Sequence, residues 1–233
     1  MRRIVAFFLC LCMLPISVRA REEKYVALTF DDGPSGRYTR HLLEGLRERD
    51  VKATFFLCGY RIAQYPELTR QLYAEGHEIG YHGYSHQIMT QMSRRDIARE
   101  LQDTQALLPE NCNPQFLRPP EGKTSDALIQ VARARQLAIL SWSVDPQDWA
   151  TRDAVAVESA VLRTVQDGDI ILLHDMTDSS VQAALEIVDR LKEEGFRFVT
   201  VSQLAELRNV TGTPGRIYRC FPPRDKEKQS FSD

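Results

Sequence analysis

The sequence lacks several features that would assign it to common classes of protein. It has no cluster of lysine and arginine, because its 30 basic and 32 acidic residues are interspersed and give a formal net charge of -2. A nucleic-acid-binding surface needs concentrated positive charge, so we expect no nucleic-acid partner. There is no low-complexity tract, and 43% of the 233 residues are hydrophobic, which is enough to bury the core of one domain.

No apolar run reaches the length of about 20 residues that a membrane-spanning helix needs. The apolar stretch at residues 4–16 is shorter; it follows two arginines and precedes the small residues Val18 and Ala20. This is the pattern of a signal peptide, so we predict that residues 1–20 are removed from a secreted or cell-envelope protein with no stable membrane span. The alternative interpretation is an uncleaved N-terminal anchor.

Cysteine is scarce in the predicted mature chain, which contains only Cys58, Cys112 and Cys220. Neither a CxxC motif nor a zinc-knuckle spacing is present, so the sequence offers no cysteine-based metal or redox site. Export permits disulfides, but three cysteines leave one unpaired. We expect Cys58 in or near the core, and Cys112 and Cys220 as surface thiols or as one bridge.

Short apolar runs alternate with longer helical patterns about seven times between residues 21 and 208. This alternation is typical of a parallel sheet with crossover helices. Seven or eight such units can close into a barrel, and an open doubly wound sheet also fits. We predict a final strand at residues 198–201 and a last helix capped by Ser202. Residues 209–233 are rich in proline, lysine, arginine and serine and are predicted to form a loose C-terminal extension.

Polar residues that could act as catalysts or metal ligands follow the predicted strands. They are Asp31 and Asp32 after the first strand, His82 and His86 after the third, Arg118 after the fourth, Asp145 and Asp148 after the fifth, and His174 after the sixth. In parallel α/β folds, active sites lie at the C-terminal ends of the strands. These segments are therefore expected to meet at one site.

Asp32, His82 and His86 form a candidate metal-binding set. Two imidazoles four residues apart and one carboxylate give the three protein ligands of a catalytic zinc site, with a position left for water. The same set suits a non-haem iron oxygenase, but nothing in the chain indicates the double-stranded β-helix that commonly carries that chemistry. Taken separately, Asp31 and Asp32 could form only a turn, and the two histidines could be surface residues of a loop.

The remaining strand-end residues suggest acid–base chemistry. A second carboxylate, Asp31, can take a proton from water, and Arg118 can hold it in position or neutralise the carboxylate-rich site. His174 is either a buried structural residue or a general acid. Asp145 or Asp175 could orient its imidazole and favour the charged form.

Five segments together resemble the motifs of the polysaccharide deacetylase family, carbohydrate esterase family 4, over residues 25–207. The segments are residues 29–34 (TFDDGP), 82–86 (HGYSH), 118–122 (RPPEG), 145–149 (DPQDW) and 172–174 (LLH). The resemblance implies a distorted (β/α) barrel of seven or eight repeats in a single domain. It also implies removal of N-acetyl groups from N-acetylglucosamine residues of an amino-sugar polymer, either peptidoglycan or a chitin-like polysaccharide.

By the same resemblance, Asp32, His82 and His86 would bind a divalent metal, usually zinc and sometimes cobalt or another ion. Asp31 would be the general base beside Arg118. His174 would be the general acid, tuned by Asp145. The sequence carries no signal for an oligomeric state.

Two residues depart from the family pattern. Gly83 stands where a serine or threonine usually follows the first metal histidine, so a hydroxyl that would brace the loop is missing. Glu121 stands where an aromatic residue is usual, and it adds negative charge while its backbone N–H remains available to an oxyanion. These departures leave two alternatives, a catalytically weak carbohydrate-binding protein on the same fold and a hydrolase of a small non-sugar amide.

Overall fold

A computed structural model describes residues 23–223. The predicted signal peptide lies outside these residues. Within them, the strands are β1 (Lys24–Asp31), β2 (Thr54–Leu57), β3 (Glu78–Tyr81), β4 (Phe116–Leu117), β5 (Ala138–Leu140), β6 (Ile170–His174), β7 (Phe196–Phe198) and β8 (Ile217–Tyr218). The helices are α1 (Arg37–Glu48), α2 (Gly59–Gln64), α3 (Pro66–Ala74), α4 (Arg94–Gln105), α5 (Asp126–Ala134), α6 (Asp148–Thr151), α7 (Ala154–Thr164), α8 (Asp178–Glu193) and α9 (Val201–Leu207).

The strands form one parallel sheet in the order β6-β1-β2-β3-β4-β5-β8, and β7 pairs with the first residues of β1. The sheet curls until Val144, beyond the end of β5, makes a parallel bridge to Ile171 of β6. Helices connect successive strands, as crossovers between parallel neighbours require. The architecture confirms the predicted distorted (β/α) barrel and excludes the open doubly wound sheet.

Strand alternation separates an outer core from the barrel interior. Val26, Leu28 and Phe30 of β1 pack in a cluster with the surrounding helices, whereas Ala27 joins a different, inner cluster. Because side chains alternate between the two faces of a strand, Thr29 and Asp31 share the inner face with Ala27. The same alternation places the side chain of Asp31, the last residue of β1, inside the barrel.

Helix α9 packs against the inner cluster at the N-terminal ends of the strands. Val201 and Leu204 belong to this cluster, and the backbone N–H of Val201 donates to Thr54 Oγ1 at the start of β2. Thr200, not Ser202, is the N-cap of α9, and Gln203 completes a capping box. The predicted boundary was too late because β7, the strand before this helix, ends at Phe198, three residues earlier than expected.

Residues 209–223 are part of the folded domain and do not form a loose extension. The prediction of an extension starting at residue 209 is wrong for this part, because β8 pairs with β5 and Phe221 is buried in the inner cluster. The prediction for Cys112 is also wrong. All three cysteines of residues 23–223 are free thiols, and Cys112 is buried in the outer core instead of lying at the surface. None of the helices in this range combines the length and apolar character needed to cross a bilayer.

Candidate active site and metal centre

The C-terminal ends of the strands bring the predicted residues to one cavity. The register of β1 and β6 pairs Asp31 with His174, so the two side chains leave adjacent strands at the same level. The cavity has a volume of about 510 Å³. It is lined by Asp31, Asp32, His82, His86, Glu121, Trp142, Asp145, Trp149, Leu172 and His174.

Asp32, His82 and His86 converge on one point. Asp32 Oδ1 lies 3.2 Å from His82 Nε2 and 3.0 Å from His86 Nε2. The Nδ1 atom of His82 is 2.8 Å from the carbonyl oxygen of Arg118, which orients the ring and directs Nε2 to Asp32. Such a contact behind an imidazole is the usual way in which a metal-binding histidine is held.

This donor set fits a divalent cation. Asp32 Oδ1 is buried, and neither imidazole contact meets hydrogen-bond geometry, so the oxygen has no hydrogen-bond partner among the described residues. One carboxylate oxygen and two imidazole nitrogens are therefore available to an ion, and all three lie within 4.8 Å of one another. Three protein ligands with open positions are the arrangement of a catalytic metal site.

The charges of this group are strongly coupled. Burial raises the pKa of Asp32, but the nearby imidazoles outweigh burial and hold that pKa well below its usual value. The contact with Asp32 raises the pKa of His86 despite partial burial. Asp32 and His86 also have positive backbone φ angles of 71° and 59°. A non-glycine residue in this region costs about 1–3 kcal/mol and persists where the surrounding structure enforces it.

Asp31 is held by Arg118. The fully buried guanidinium donates from Nη1 to Asp31 Oδ1 at 2.7 Å and to Thr29 Oγ1 at 2.8 Å, and from Nη2 to the carbonyl oxygen of Ser141 at 3.0 Å. The second carboxylate oxygen of Asp31, Oδ2, lies 3.9 Å from His82 Nε2. Arg118 therefore fixes one oxygen of Asp31 and leaves the other on the side of the histidines.

His174 is held by Asp148 and not by Asp145. Its Nδ1 atom is 2.8 Å from Asp148 Oδ1, and its backbone N–H donates to Asp148 Oδ2 at 2.9 Å. Burial lowers the pKa of His174, but the buried carboxylate of Asp148 outweighs this effect and raises the pKa to about 9. At neutral pH the ring therefore carries a proton on both nitrogens.

The expectation that Asp145 tunes His174 is wrong. Asp145 is exposed, and its carboxylate accepts a hydrogen bond from the backbone N–H of Gln147 at 2.9 Å. Gln147 has a left-handed conformation (φ 55°), and the chain then places Asp148 as the first, buried residue of α6. The other candidate, Asp175, accepts a hydrogen bond from the Thr39 hydroxyl, and the carboxylate at His174 Nδ1 is that of Asp148.

Glu121 and Trp149 form part of the cavity rim. Glu121 has a positive φ of 59° within the short turn Pro120–Gly122, and its carboxylate is paired with Lys123 Nζ at 2.6 Å. Trp149 is 59% exposed and presents a large apolar surface beside the cavity. A second cavity of about 480 Å³ is lined by residues of α9 and of residues 209–212, and it contains none of the predicted site residues.

Known proteins share this fold and sequence. The family model described as polysaccharide deacetylase matches residues 19–140. The peptidoglycan-N-acetylmuramic acid deacetylase PdaC of Bacillus subtilis is 36% identical over 188 residues, which is 80% of this chain and 40% of PdaC. A peptidoglycan-N-acetylglucosamine deacetylase of Bacillus cereus is 36% identical over 193 residues, which is 80% of this chain and 91% of the relative. The chain thus spans less than half of the first relative and nearly all of the second.

Solved structures agree. The structure of a family 4 acetyl xylan esterase from Clostridium thermocellum in complex with a cobalt ion superposes with a TM-score of 0.79 at 35% identity. The alignment covers 85% of this chain and all of the esterase chain. A family-model match over more than half of the chain, relatives above 30% identity and a shared barrel agree on one assignment. The chain belongs to the polysaccharide deacetylase family.

Proposed function

We propose that the protein is a divalent-metal-dependent hydrolase that removes N-acetyl groups from N-acetylglucosamine residues of peptidoglycan or a chitin-like polymer, with zinc as the expected metal. The observation that carries the proposal is one cavity lined by the Asp32, His82 and His86 group together with Asp31 and His174. The names of the relatives, which refer to peptidoglycan deacetylation, support the substrate class.

A bound divalent cation would act as a Lewis acid, polarising the acetamide carbonyl and lowering the pKa of water. Asp32, His82 and His86 would hold this cation. Asp31 would take the proton of the attacking water on Oδ2, because Arg118 occupies Oδ1. The backbone N–H of Glu121, at the rim, would donate to the developing oxyanion.

His174 would complete the reaction as the general acid. Its Nδ1 is engaged by Asp148, and at neutral pH the protonated ring carries a donor on Nε2 for the leaving amine. Asp148 would therefore be a positioning residue that keeps the acid charged. Each proton-transfer role typically contributes about 10²–10⁴-fold to the rate.

The complete set of side chains favours catalysis over the alternative of a weak carbohydrate-binding protein. Trp149 favours a sugar over a small non-sugar amide, because an exposed aromatic plane can stack on a pyranose ring. We also propose export to the cell envelope after cleavage of residues 1–20. N-terminal sequencing of the exported protein should start at Arg21.

The activity is tested by acetate release from peptidoglycan, chitin oligomers and acetylated xylan. We expect release from the N-acetylated polymers, loss of release with a chelator, and recovery when zinc or cobalt is returned. Release that is indifferent to the chelator would refute metal dependence, and bound but unhydrolysed sugar would favour the carbohydrate-binding alternative. Release from acetylated xylan alone would refute the amide substrate.

The residue roles are tested by variants in the same assay. Asp31→Asn and His174→Ala should lose most turnover, by about 10²-fold or more, while folding and metal content remain. His82→Ala should lose bound metal, as measured by elemental analysis. Turnover close to that of the wild type in Asp31→Asn would discard its role as the base.

A further inference from the structure

The loop between His82 and His86 is tied to helix α4 by one carboxylate. Glu100 accepts hydrogen bonds from the backbone N–H of Tyr84 at 2.7 Å and of Ser85 at 2.8 Å, and from the Ser85 hydroxyl at 2.9 Å. All three donors lie between the two histidines. Hydrogen bonds to a charged acceptor are stronger than those between neutral groups.

The opposite side of the loop is fixed by α2. The backbone N–H groups of Gly59 and Tyr60 donate to the carbonyl oxygens of Gly83 and Tyr84 at 2.9 and 3.0 Å. Backbone donors at the start of α2 therefore hold the loop's carbonyls, and Glu100 holds its N–H groups. Without Glu100, the N–H side of residues 84 and 85 would lose its partner inside the protein.

Gly83 makes room for this arrangement. Its φ is +82°, and a Cβ added there would lie 3.2 Å from Glu100 Oε2 and 2.8 Å from Met89 Cε. A side chain at residue 83 would therefore compete with the Glu100 carboxylate for the same space. The loop is therefore braced by Glu100, which lies 14 residues after His86 in the sequence, and not by a side chain at residue 83.

The two histidines differ in how much they depend on the loop. His82 is buried, and its ring is oriented by the carbonyl oxygen of Arg118. The His86 side chain is 39% exposed, and among the described residues its ring has the contact with Asp32 but no hydrogen bond that orients it from behind. The location of His86 is therefore set by its backbone (φ 59°), which directly follows the residues that Glu100 holds.

We propose that Glu100 is a positioning residue that holds His86 in place for metal binding; this inference rests on the proposed metal site. Because Glu100 does not line the cavity or contact Asp31 or His174, its effect falls on metal affinity and leaves the chemistry of the loaded enzyme unchanged. Residues that support metal ligands from behind typically change affinity by about 10–100-fold when removed.

The test is zinc affinity by competition with a chromogenic chelator, in wild type, Glu100→Ala and Glu100→Gln. We expect Glu100→Ala to raise the Kd by about 10-fold or more. Glu100→Gln should stay close to wild type, because the amide oxygen accepts from both N–H groups and the amide NH₂ donates to the Ser85 hydroxyl. Asp103→Ala on the same helix is the matched control, since Asp103 is half-exposed and, within residues 23–223, its ion pair is with Arg99.

Three readouts separate positioning from a general loss of stability. Acetate release from chitin oligomers at saturating zinc should remain within about threefold of wild type in Glu100→Ala. The metal-free variant should unfold in one cooperative transition, as Asp103→Ala does, but at a lower temperature because its hydrogen bonds to Tyr84 and Ser85 are lost. If Glu100→Ala does not fold without metal, Glu100→Asp replaces it, because the shorter side chain cannot reach all three donors. An unchanged zinc Kd in the folded variant would overturn the inference, whereas a wild type that binds no zinc would instead overturn the proposed function.

Discussion

At the scale of single residues, the ion pair between His174 and Asp148 sets a pH range for the protein. The His174 pKa is raised from 6.5 to about 9, so the pair stabilises the metal-free fold fully below pH 6.5, and this contribution is lost as the pH rises through about 9. The same protonation is required of a general acid. Turnover is therefore expected to decline on the alkaline side.

Asp148→Asn should shift the alkaline decline in turnover to lower pH. Without the Asp148 carboxylate, burial lowers the His174 pKa and is opposed by the weaker effects of Asp31 and Asp32, so less imidazolium is available at a given alkaline pH. The measurement is kcat between pH 5 and 10. Asp145→Asn is the matched control, because its carboxylate contacts Gln147 and leaves the His174 ring untouched. If kcat of Asp148→Asn declines at the same alkaline pH as that of the wild type, another group controls the decline.

Glu121 should bias the enzyme against anionic sugars. Its carboxylate, partly offset by the pairing with Lys123, adds to Asp31, Asp32 and Asp145 around the cavity, and no lysine or arginine is among the lining residues. The lactyl carboxylate of an N-acetylmuramic acid residue would therefore be repelled. We expect Glu121→Gln to raise kcat/KM for a muramic-acid-containing oligosaccharide about 1.5- to 5-fold relative to a chitin oligomer, the size of an exposed charge interaction.

Salt provides the check on this electrostatic argument. The advantage of Glu121→Gln should shrink at 0.5 M sodium chloride, because exposed charges are screened. Glu121→Asp keeps the charge and should behave as wild type. An equal change in kcat/KM for both oligosaccharides would mean that Glu121 acts on the turn geometry and not on substrate charge.

At the scale of elements, helix α9 depends on its N-terminal cap. The Thr200 hydroxyl accepts from the backbone N–H of Gln203, and the Gln203 side chain accepts from the backbone N–H of Thr200. Thr200→Ala should cost about 0.5–2 kcal/mol of unfolding free energy. For a chain of this size that corresponds to a fall of roughly 2–4 °C in melting temperature per kcal/mol. Thr200→Ser keeps the hydroxyl and should retain most of the stability; equal losses in both variants would point to packing instead.

Capping at other helices was predictable from neighbouring residues. The Ser93 side chain accepts from the backbone N–H of Asp96, as expected from their spacing. By contrast, α1 has Gly36 as its N-cap. Thr39, whose residue type also suits an N-cap, is instead buried two residues into the helix, where it donates to Asp175. Local sequence finds a cap when its partner is three residues away, but not when a distant carboxylate recruits the hydroxyl.

At the scale of the whole molecule, the C-terminal segment completes the barrel wall. β8 pairs with β5, and the backbone N–H of Phe221 donates to the Gly168 carbonyl oxygen at 2.8 Å. Gly168 has a φ of +93°, and a Cβ there would lie 2.2 Å from Phe221 O, so glycine is required for this close approach. The segment therefore joins two distant parts of the sheet.

A chain truncated after residue 208 should be markedly less stable than one truncated after residue 223. Burial of Phe221 alone is worth about 1.5–3 kcal/mol, and the strand pairing of β8 is lost as well. Comparing the urea unfolding of the two truncated proteins measures how much residues 209–223 contribute to stability. Equal unfolding midpoints would show that this segment is dispensable for the barrel.

The sequence by itself predicted a parallel sheet with crossover helices and the members of the proposed metal group. Alternating apolar runs predicted parallel strands, and because such strands present their ends at one edge, Asp32, His82 and His86 could be expected together. The period of two in β1 also assigns Asp31 to the barrel interior once Val26, Leu28 and Phe30 are recognised as the outer face. These inferences use only local order along the chain, which the fold preserves.

Only the tertiary structure decided which partners these residues have. Asp145 and Asp148 are chemically equivalent in the sequence, and a left-handed residue, Gln147, turns one to solvent and buries the other against His174. Glu100 and Phe221 gave no signal either, because each acts through a contact with a segment far away along the chain. Hydrogen-bond partners of this kind depend on distances of 2.7–2.9 Å between separate elements, which residue type and periodicity do not encode.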